Sequence, residues 1–222
     1  AGKPHVAIVI SPTVSLQNDQ VREAIESYSK NSTIQLRAAQ INQTVKNVER
    51  KKVYRQFING EIDILFLSPE KLIEPHFRSI LATVAGKNLI GFLVVDEVHM
   101  VAAWGSDFRT EFFRLGTARK DLLAHNRELK TLLLSATLTT ENENIVTDVL
   151  QLSASEVTHF TEKSLRREIS IRIEKDYQNK EERLARLIEI LPHVPRPVII
   201  YCSLKANVDE IYTSFAAKGL RR

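Results

Sequence analysis

A doubly wound α/β fold with a mostly parallel sheet is the class this sequence predicts, and three observations carry the prediction. Apolar runs of strand length recur along the chain, stretches with helical apolar spacing separate them, and acids and hydroxyl residues follow the runs directly. Strands alternating with helices build βαβ units and so a parallel sheet. Residues just past the carboxyl ends of such strands stand where open α/β sheets bind ligands.

Residues 6–10, 34–38, 63–67, 91–95 and 131–134 have the apolar content and length of strands. Between the second and third, Val45, Val48, Val53 and Phe57 predict one face of a helix that stops at Asn59-Gly60. After the fifth, Thr140-Glu141-Asn142-Glu143 has the form of an N-cap with its capping-box partner, leading into Ile145, Val149 and Leu150. Around 153–167 the apolar rhythm breaks and basic residues gather at Lys163, Arg166 and Arg167, which predicts a linker. A second cycle then begins. Residues 169–173 alternate like a strand, and Asn179 to Glu182 cap a helix with Leu184, Leu187, Ile188 and Leu191 on one face. Residues 197–201 then form an apolar run, and Val208, Ile211, Tyr212 and Phe215 line a last helix. The expected division is a first domain over 1–157, a linker over 158–167, and the opening of a second domain over 168–222.

The 222 residues, 43% hydrophobic and 26% charged, suit one complete core and part of another. A formal charge of +4 is compatible with a polyanionic partner without establishing one. The single cysteine, Cys202, excludes an intrachain disulfide and a multi-cysteine zinc site, and reads as a small buried hydrophobe. No signal-like start and no run long enough to span a bilayer is present, so a soluble intracellular protein is expected, in a prokaryotic cytoplasm or a eukaryotic nucleus.

The chemistry concentrates at four strand ends. Phe92-Leu93-Val94-Val95 runs straight into Asp96-Glu97, with His99 two places on. One acid at such a position can hold a Mg²⁺ shell while its neighbour orients a water, as nucleotide hydrolysis requires. Ser11-Pro12 and Ser68-Pro69 follow the first and third runs. Each suits either a phosphate contact, through an exposed amide and hydroxyl, or the start of a helix. Ser135-Ala136-Thr137 follows the fifth run and offers hydroxyls to His99 or to the acids. Trp104, Phe108 and Arg109 suit single-stranded nucleic acid, aromatic faces stacking on bases at roughly 1–3 kcal/mol each and the guanidinium adding a phosphate or cation–π contact. A Trp/Phe pair filling a core is the alternative.

Taken together, Asp96-Glu97-Val98-His99 with Trp104-Gly105-Ser106-Asp107-Phe108-Arg109 resembles the DExH box and aromatic-rich loop of RecQ-type superfamily-two DNA helicases. Ser11-Pro12, Ser68-Pro69, Ser135-Ala136-Thr137 and the stretch from Pro197 to Ser203 with Lys205 stand in the order of that family's other motifs. The resemblance implies a RecA-like doubly wound first domain with the start of a second RecA-like domain. It implies ATP and Mg²⁺ as cofactors and single-stranded and partly duplex DNA as partner, with 3′–5′ ATP-dependent unwinding. By the same resemblance Asp96 holds Mg²⁺ through water, Glu97 positions and deprotonates the attacking water, and His99 links that site to Ser135 and Thr137, which count with it among the catalytic residues. The resemblance likewise implies that Ser11, Pro12, Ser68, Pro69, Trp104, Phe108, Arg109 and Ser203 touch nucleic acid. Two positions depart from the family: Ala103 stands for a glutamine and Ser106 for a histidine, which puts tight coupling between DNA and hydrolysis in question.

No G-x-x-x-x-G-K-[S/T] phosphate loop occurs in the sequence. The expectation is therefore an internal piece of a larger helicase that does not hydrolyse ATP at a motor-like rate alone. The competing expectation is a non-catalytic nucleic-acid-binding module derived from a helicase.

Overall fold

The computed structural model describes residues 5–31, 36–103, 105–161, 170–173, 177–217 and 219. The chain divides into two compact units, Ala1–His159 and Phe160–Arg222. In the first, the order is β1 (Val6–Ile10), α1 (Val14–Asn31), β2 (Ala38–Ile41), α2 (Asn47–Ile58), β3 (Ile64–Leu67), α3 (Pro69–Ile73) and α4 (Pro75–Gly86). There follow β4 (Ile90–Val95), α5 (Met100–Ala103), α6 (Gly105–His125), β5 (Lys130–Leu133), α7 (Thr140–Leu150) and a 3₁₀ turn at Ala154–Glu156.

All pairings are parallel and the strands lie in the order β2-β3-β1-β4-β5. This is the expected RecA-like α/β fold. The chain leaves β1 toward β3 and β2 on one side and returns to β4 and β5 on the other, so the strand order reverses beside β1, between it and β4. Ile10 pairs with Leu67 and with Val95, and Val95 with Leu133, so β1, β3, β4 and β5 end level with one another. The segments that follow them therefore leave the sheet along a single edge.

The core is the inner face of this sheet and the helices laid on it. Val6, Ile8, Ile10, Leu65, Leu67, Leu93 and Val95 are buried, against Phe57 of α2, Phe77, Ile80, Leu81 and Val84 of α4, Leu115 and Leu122 of α6, and Val146, Val149 and Leu150 of α7. Phe57 and Phe77 stack with centroids 6.1 Å apart, joining α2 to α4. Helix α4 packs in turn on α6, and α6 on α7. The last crossing is close because Gly116 of α6 has no Cβ to meet the Val149 carbonyl. Among the described residues, no helix is long and apolar enough to cross a membrane.

Several expectations shift. The second strand starts at Ala38 rather than residue 34, and residues 32–35 lie outside the described ones. Arg37, just ahead of it, is clasped by Asp63: its amide and Nε reach one carboxylate oxygen and its NH2 the other, at 2.8–3.0 Å. Only beyond that clasp does the ladder begin, at Ala38 opposite Ile64. Val48 is 84% exposed because it sits in the first turn of α2, on the side away from Val53 and Phe57. Helix α7 is capped by Thr139, whose hydroxyl accepts the Asn142 amide, and not by Thr140. Strand β4 is less thoroughly covered than a central strand reading implies, with Phe92, and Leu132 on the adjacent β5, each 40% exposed.

The second unit holds α8 (Lys180–Ile190), a 3₁₀ turn at Leu191–His193 and α9 (Lys205–Ala217). Asn179 caps α8 as expected, accepting the Glu182 amide at 2.8 Å. Lys180 pairs with Glu210 across the two helices. The strands expected at 169–173 and 197–201 are not formed among the described residues, and Ile173, Ile199 and Tyr201 are largely exposed. A strand is defined by its ladder, and no described segment of this unit pairs with either run. Cys202 is half-buried, and Val208 and Tyr212 are exposed.

Candidate nucleotide and nucleic-acid site

The four segments that leave the level edge are held together by main-chain bonds one residue past the strands. The Ser11 amide donates to the Leu67 carbonyl, the Asp96 amide to Ile10, and the Leu134 amide to Val95, each at 2.9 Å. Val98 then donates to Leu134, which draws the turn after β4 onto the segment after β5. Asp96, Glu97, His99 and Ser135 are thereby brought into one cluster where the strand order reverses.

Asp96 is half-buried and both carboxylate oxygens are engaged. Oδ1 accepts the Glu97 amide at 2.9 Å and Oδ2 accepts the Gln20 side-chain amide at 2.6 Å. Glu97 has φ +50°, a left-handed conformation that a residue with a side chain adopts at a cost and that clusters at functional sites. That turn carries its carboxylate toward His99, whose Nδ1 lies 3.2 Å from Glu97 Oε2 and 3.1 Å from Ser135 Oγ. A protonated Nδ1 donates to the Glu97 carboxylate or to Ser135 Oγ, and an unprotonated Nδ1 accepts from the Ser135 hydroxyl. Ser135 Oγ also accepts the Thr137 amide at 3.2 Å. Thr137 is exposed; its main chain, not its hydroxyl, joins it to the cluster.

In front of these groups lies a cleft of ≈ 420 Å³ lined by Pro12, Thr13, Ser15, Leu16, Asp19, Glu97, His99 and Met100. The start of α1 forms one wall and the Asp-Glu-x-His turn the other. Among the described residues no group of three His, Cys, Asp or Glu side chains could cage a metal. A divalent cation here would rest on a carboxylate and take its other ligands from water and phosphate, the habit of Mg²⁺. The donor set fits that ion: Asp96 is an oxygen ligand fixed from two directions.

Ser11 is fully buried; its amide is spent on Leu67 and its hydroxyl has no partner, so the turn does not present either group outward. The outward role passes to Thr13, whose Oγ1 accepts the Leu16 amide at 3.3 Å and caps α1. Ser68 occupies the N-cap position of α3 without a side-chain bond, and Pro69 is buried at the first helical position. Trp104 lies outside the described residues, and Phe108 and Arg109 belong to α6 with side chains outside them. Ser203, in the second unit, is exposed. The residues that sequence reasoning passed over are Gln17, fully buried, and Gln20, half-buried, one turn apart on α1.

The sequence model of the DEAD/DEAH box helicase family matches residues 2–145, which takes in the cluster and all five strands. The chain belongs to the DEAD/DEAH box helicase family. Among its relatives are a protein named probable ATP-dependent DNA helicase RecS of Bacillus subtilis, 30% identical over 98% of this chain and 40% of its own length. The ATP-dependent DNA helicase RecQ of Haemophilus influenzae is 28% identical over 97% of this chain and 32% of its own length. The ATP-dependent helicase SGS1 of Saccharomyces cerevisiae is 25% identical over 100% of this chain and 14% of its own. This helicase-family chain is thus RecQ-like in sequence from end to end, and spans 40% or less of these relatives. In the crystal structure of the DUF1998 helicase MrfA, 31% of that chain superposes on 96% of this one with a TM-score of 0.69 at 14% identity, a likeness of fold.

Proposed function

We propose that this helicase-family chain contributes the hydrolytic acids of a RecQ-like ATP-dependent DNA helicase that moves 3′ to 5′ on single-stranded DNA and opens duplexes. The observation that carries the reading is the convergence of Asp96, Glu97, His99 and Ser135 at the reversal point of a parallel sheet. Asp96, fixed by Gln20 and the Glu97 amide, offers its oxygens to the water shell of Mg²⁺. Mg²⁺, bound with ATP, neutralises the charge that develops on the phosphoryl oxygens. Glu97 faces the cleft and is the base that aligns a water and takes its proton. His99 holds Glu97 or Ser135 in turn, and Ser135 ties that choice to the segment after β5.

DNA contact is assigned to Trp104, Phe108 and Arg109 on residue chemistry, and to the strand-end segments of Pro12 and Thr13 and of Ser68-Pro69. Ser203 serves the same purpose in the second unit. The phosphate grip must come from residues other than these 222, because the sequence contains no phosphate loop.

The test is ATP hydrolysis by the protein made from its complete reading frame, with and without single-stranded DNA, beside Glu97→Gln. DNA-stimulated turnover that falls by about 10²-fold or more in the variant is expected for loss of a positioned base. DNA binding without turnover would sink the catalytic reading and leave a binding platform.

A further inference from the structure

The carboxylate of Asp96 is held from a helix 76 residues earlier in the chain: Gln20 Nε2 donates to Asp96 Oδ2 at 2.6 Å. We propose that Gln20 is a positioning residue for the Mg²⁺ site, and that α1 is the strut joining that site to the nucleic-acid-facing edge. The inference rests on the reading of Asp96 given above and extends it to a residue outside the acid motif.

Three observations carry it. The Gln20 bond complements the Glu97 amide on Oδ1, so each oxygen of the carboxylate has one fixed donor and the plane of the group is set. Its own Oε1 is buried with no partner, so the Gln20 amide is held through its donor end alone, and that end is spent on Asp96. One turn earlier, on the same face of α1, Gln17 is fully buried and clasps the neighbouring strand ends. Its Nε2 donates to the Ser11 carbonyl at 2.8 Å and its Oε1 accepts from Asn42 at 3.0 Å. Helix α1 therefore grips the ends of β1 and β2 through Gln17 and the end of β4 through Gln20. Its first turn, with Thr13, Ser15 and Leu16, is a wall of the cleft. A displacement of that turn by nucleic acid would reach Asp96 through a single rigid element.

Partners that orient a metal-bound carboxylate typically influence metal affinity by about 10–100-fold. The experiment uses Gln20→Met, which keeps the length of the side chain and removes the donor, in the protein from the complete reading frame. Two quantities are read: the Mg²⁺ concentration giving half-maximal hydrolysis, and that giving half-maximal thermal protection by ADP. Both midpoints should rise about tenfold in Gln20→Met, with affinity for single-stranded DNA changed less than about twofold. If Gln20→Met does not fold, Gln20→Leu, apolar and likewise without the donor, should move the midpoints in the same direction. Midpoints equal to wild type in a folded variant would overturn the proposal. Asp96→Asn run alongside separates the two readings: unaltered midpoints in that variant would remove the Mg²⁺ role of Asp96 and the proposal with it.

Discussion

Replacing Gly116 with alanine tests the packing that joins the two helices flanking the candidate site. Helix α6 spans Gly105–His125 and α7 begins shortly after Ser135-Ala136-Thr137, so their crossing bears on where the segment after β5 is held. A Cβ at Gly116 would lie 2.4 Å from the Val149 carbonyl oxygen and 3.4 Å from Leu150 Cα. Ordinary carbon–oxygen contacts start near about 3.3 Å, so the helices must part by roughly 0.9 Å. The obstacle is backbone, which cannot rotate aside, and parting the helices loosens Val146, Val149 and Leu150, all 3% exposed or less. Overpacking of this kind costs about 1–3 kcal/mol, and the upper end applies here. Alanine returns about 1 kcal/mol in helix propensity, leaving a net loss of roughly 2 kcal/mol. In a unit of this size that lowers the melting temperature by about 4–8 °C. Gly86, the last residue of α4, is the matched control: a Cβ there meets nothing within 4 Å. Gly86→Ala should therefore be neutral or stabilising by about 0.5 kcal/mol. Thermal unfolding followed by far-UV circular dichroism compares the three proteins. A Gly116→Ala protein as stable as wild type would refute the reasoning.

Other expectations concern smaller parts. The Arg37 guanidinium and amide hold the Asp63 carboxyl below its usual range. That contact adds stability that is fully present above the ordinary Asp pKa of about 3.9 and is lost as pH falls through the lower folded value. The stability gap between wild type and Asp63→Asn, no more than about 1 kcal/mol after solvent screening, should close over that acidic window in denaturant titrations. Thr139→Ala should cost about 0.5–1 kcal/mol and Thr140→Ala almost nothing, since only Thr139 accepts the Asn142 amide; equal losses would move the cap back to Thr140. Ser135→Ala leaves His99 Nδ1 with Glu97 alone and should lower DNA-stimulated kcat about fivefold, one hydrogen bond's worth, at unchanged KM for ATP. A changed KM with kcat intact would argue that Ser135 binds nucleotide instead.

The strands were legible because apolar runs of four to six residues bounded by polar ones are dictated by burial on both faces of a sheet. The acids were legible because an Asp-Glu pair at the end of such a run is followed by His99 and the block over residues 104–109. An acid pair alone would read equally well as a solvated surface. What sequence could not show is how polar groups find each other across distance. Gln20 meets Asp96 only because parallel register sets β1 beside β4, and a helical glutamine looks the same whether it faces solvent or a carboxylate. Ser11 looked available because Ser-Pro turns usually are, yet the ladder runs one residue past the strand and consumes its amide. Thr139 and Thr140 are adjacent and chemically identical, so propensity has no means of choosing the cap. In the second unit, 169–173 and 197–201 have strand composition, but composition supplies no partner edge, and the described residues there form helices and turns.

The backward-bent backbone at Glu97 has a meaning for how this sequence can vary. Glycine would occupy that conformation without penalty, so relieving the strain and keeping the carboxylate are mutually exclusive choices at one codon. Glu97→Gly should give a protein that melts later than wild type while its chemistry stops. A lineage freed from the need to hydrolyse nucleotide would be drawn toward glycine or asparagine at position 97.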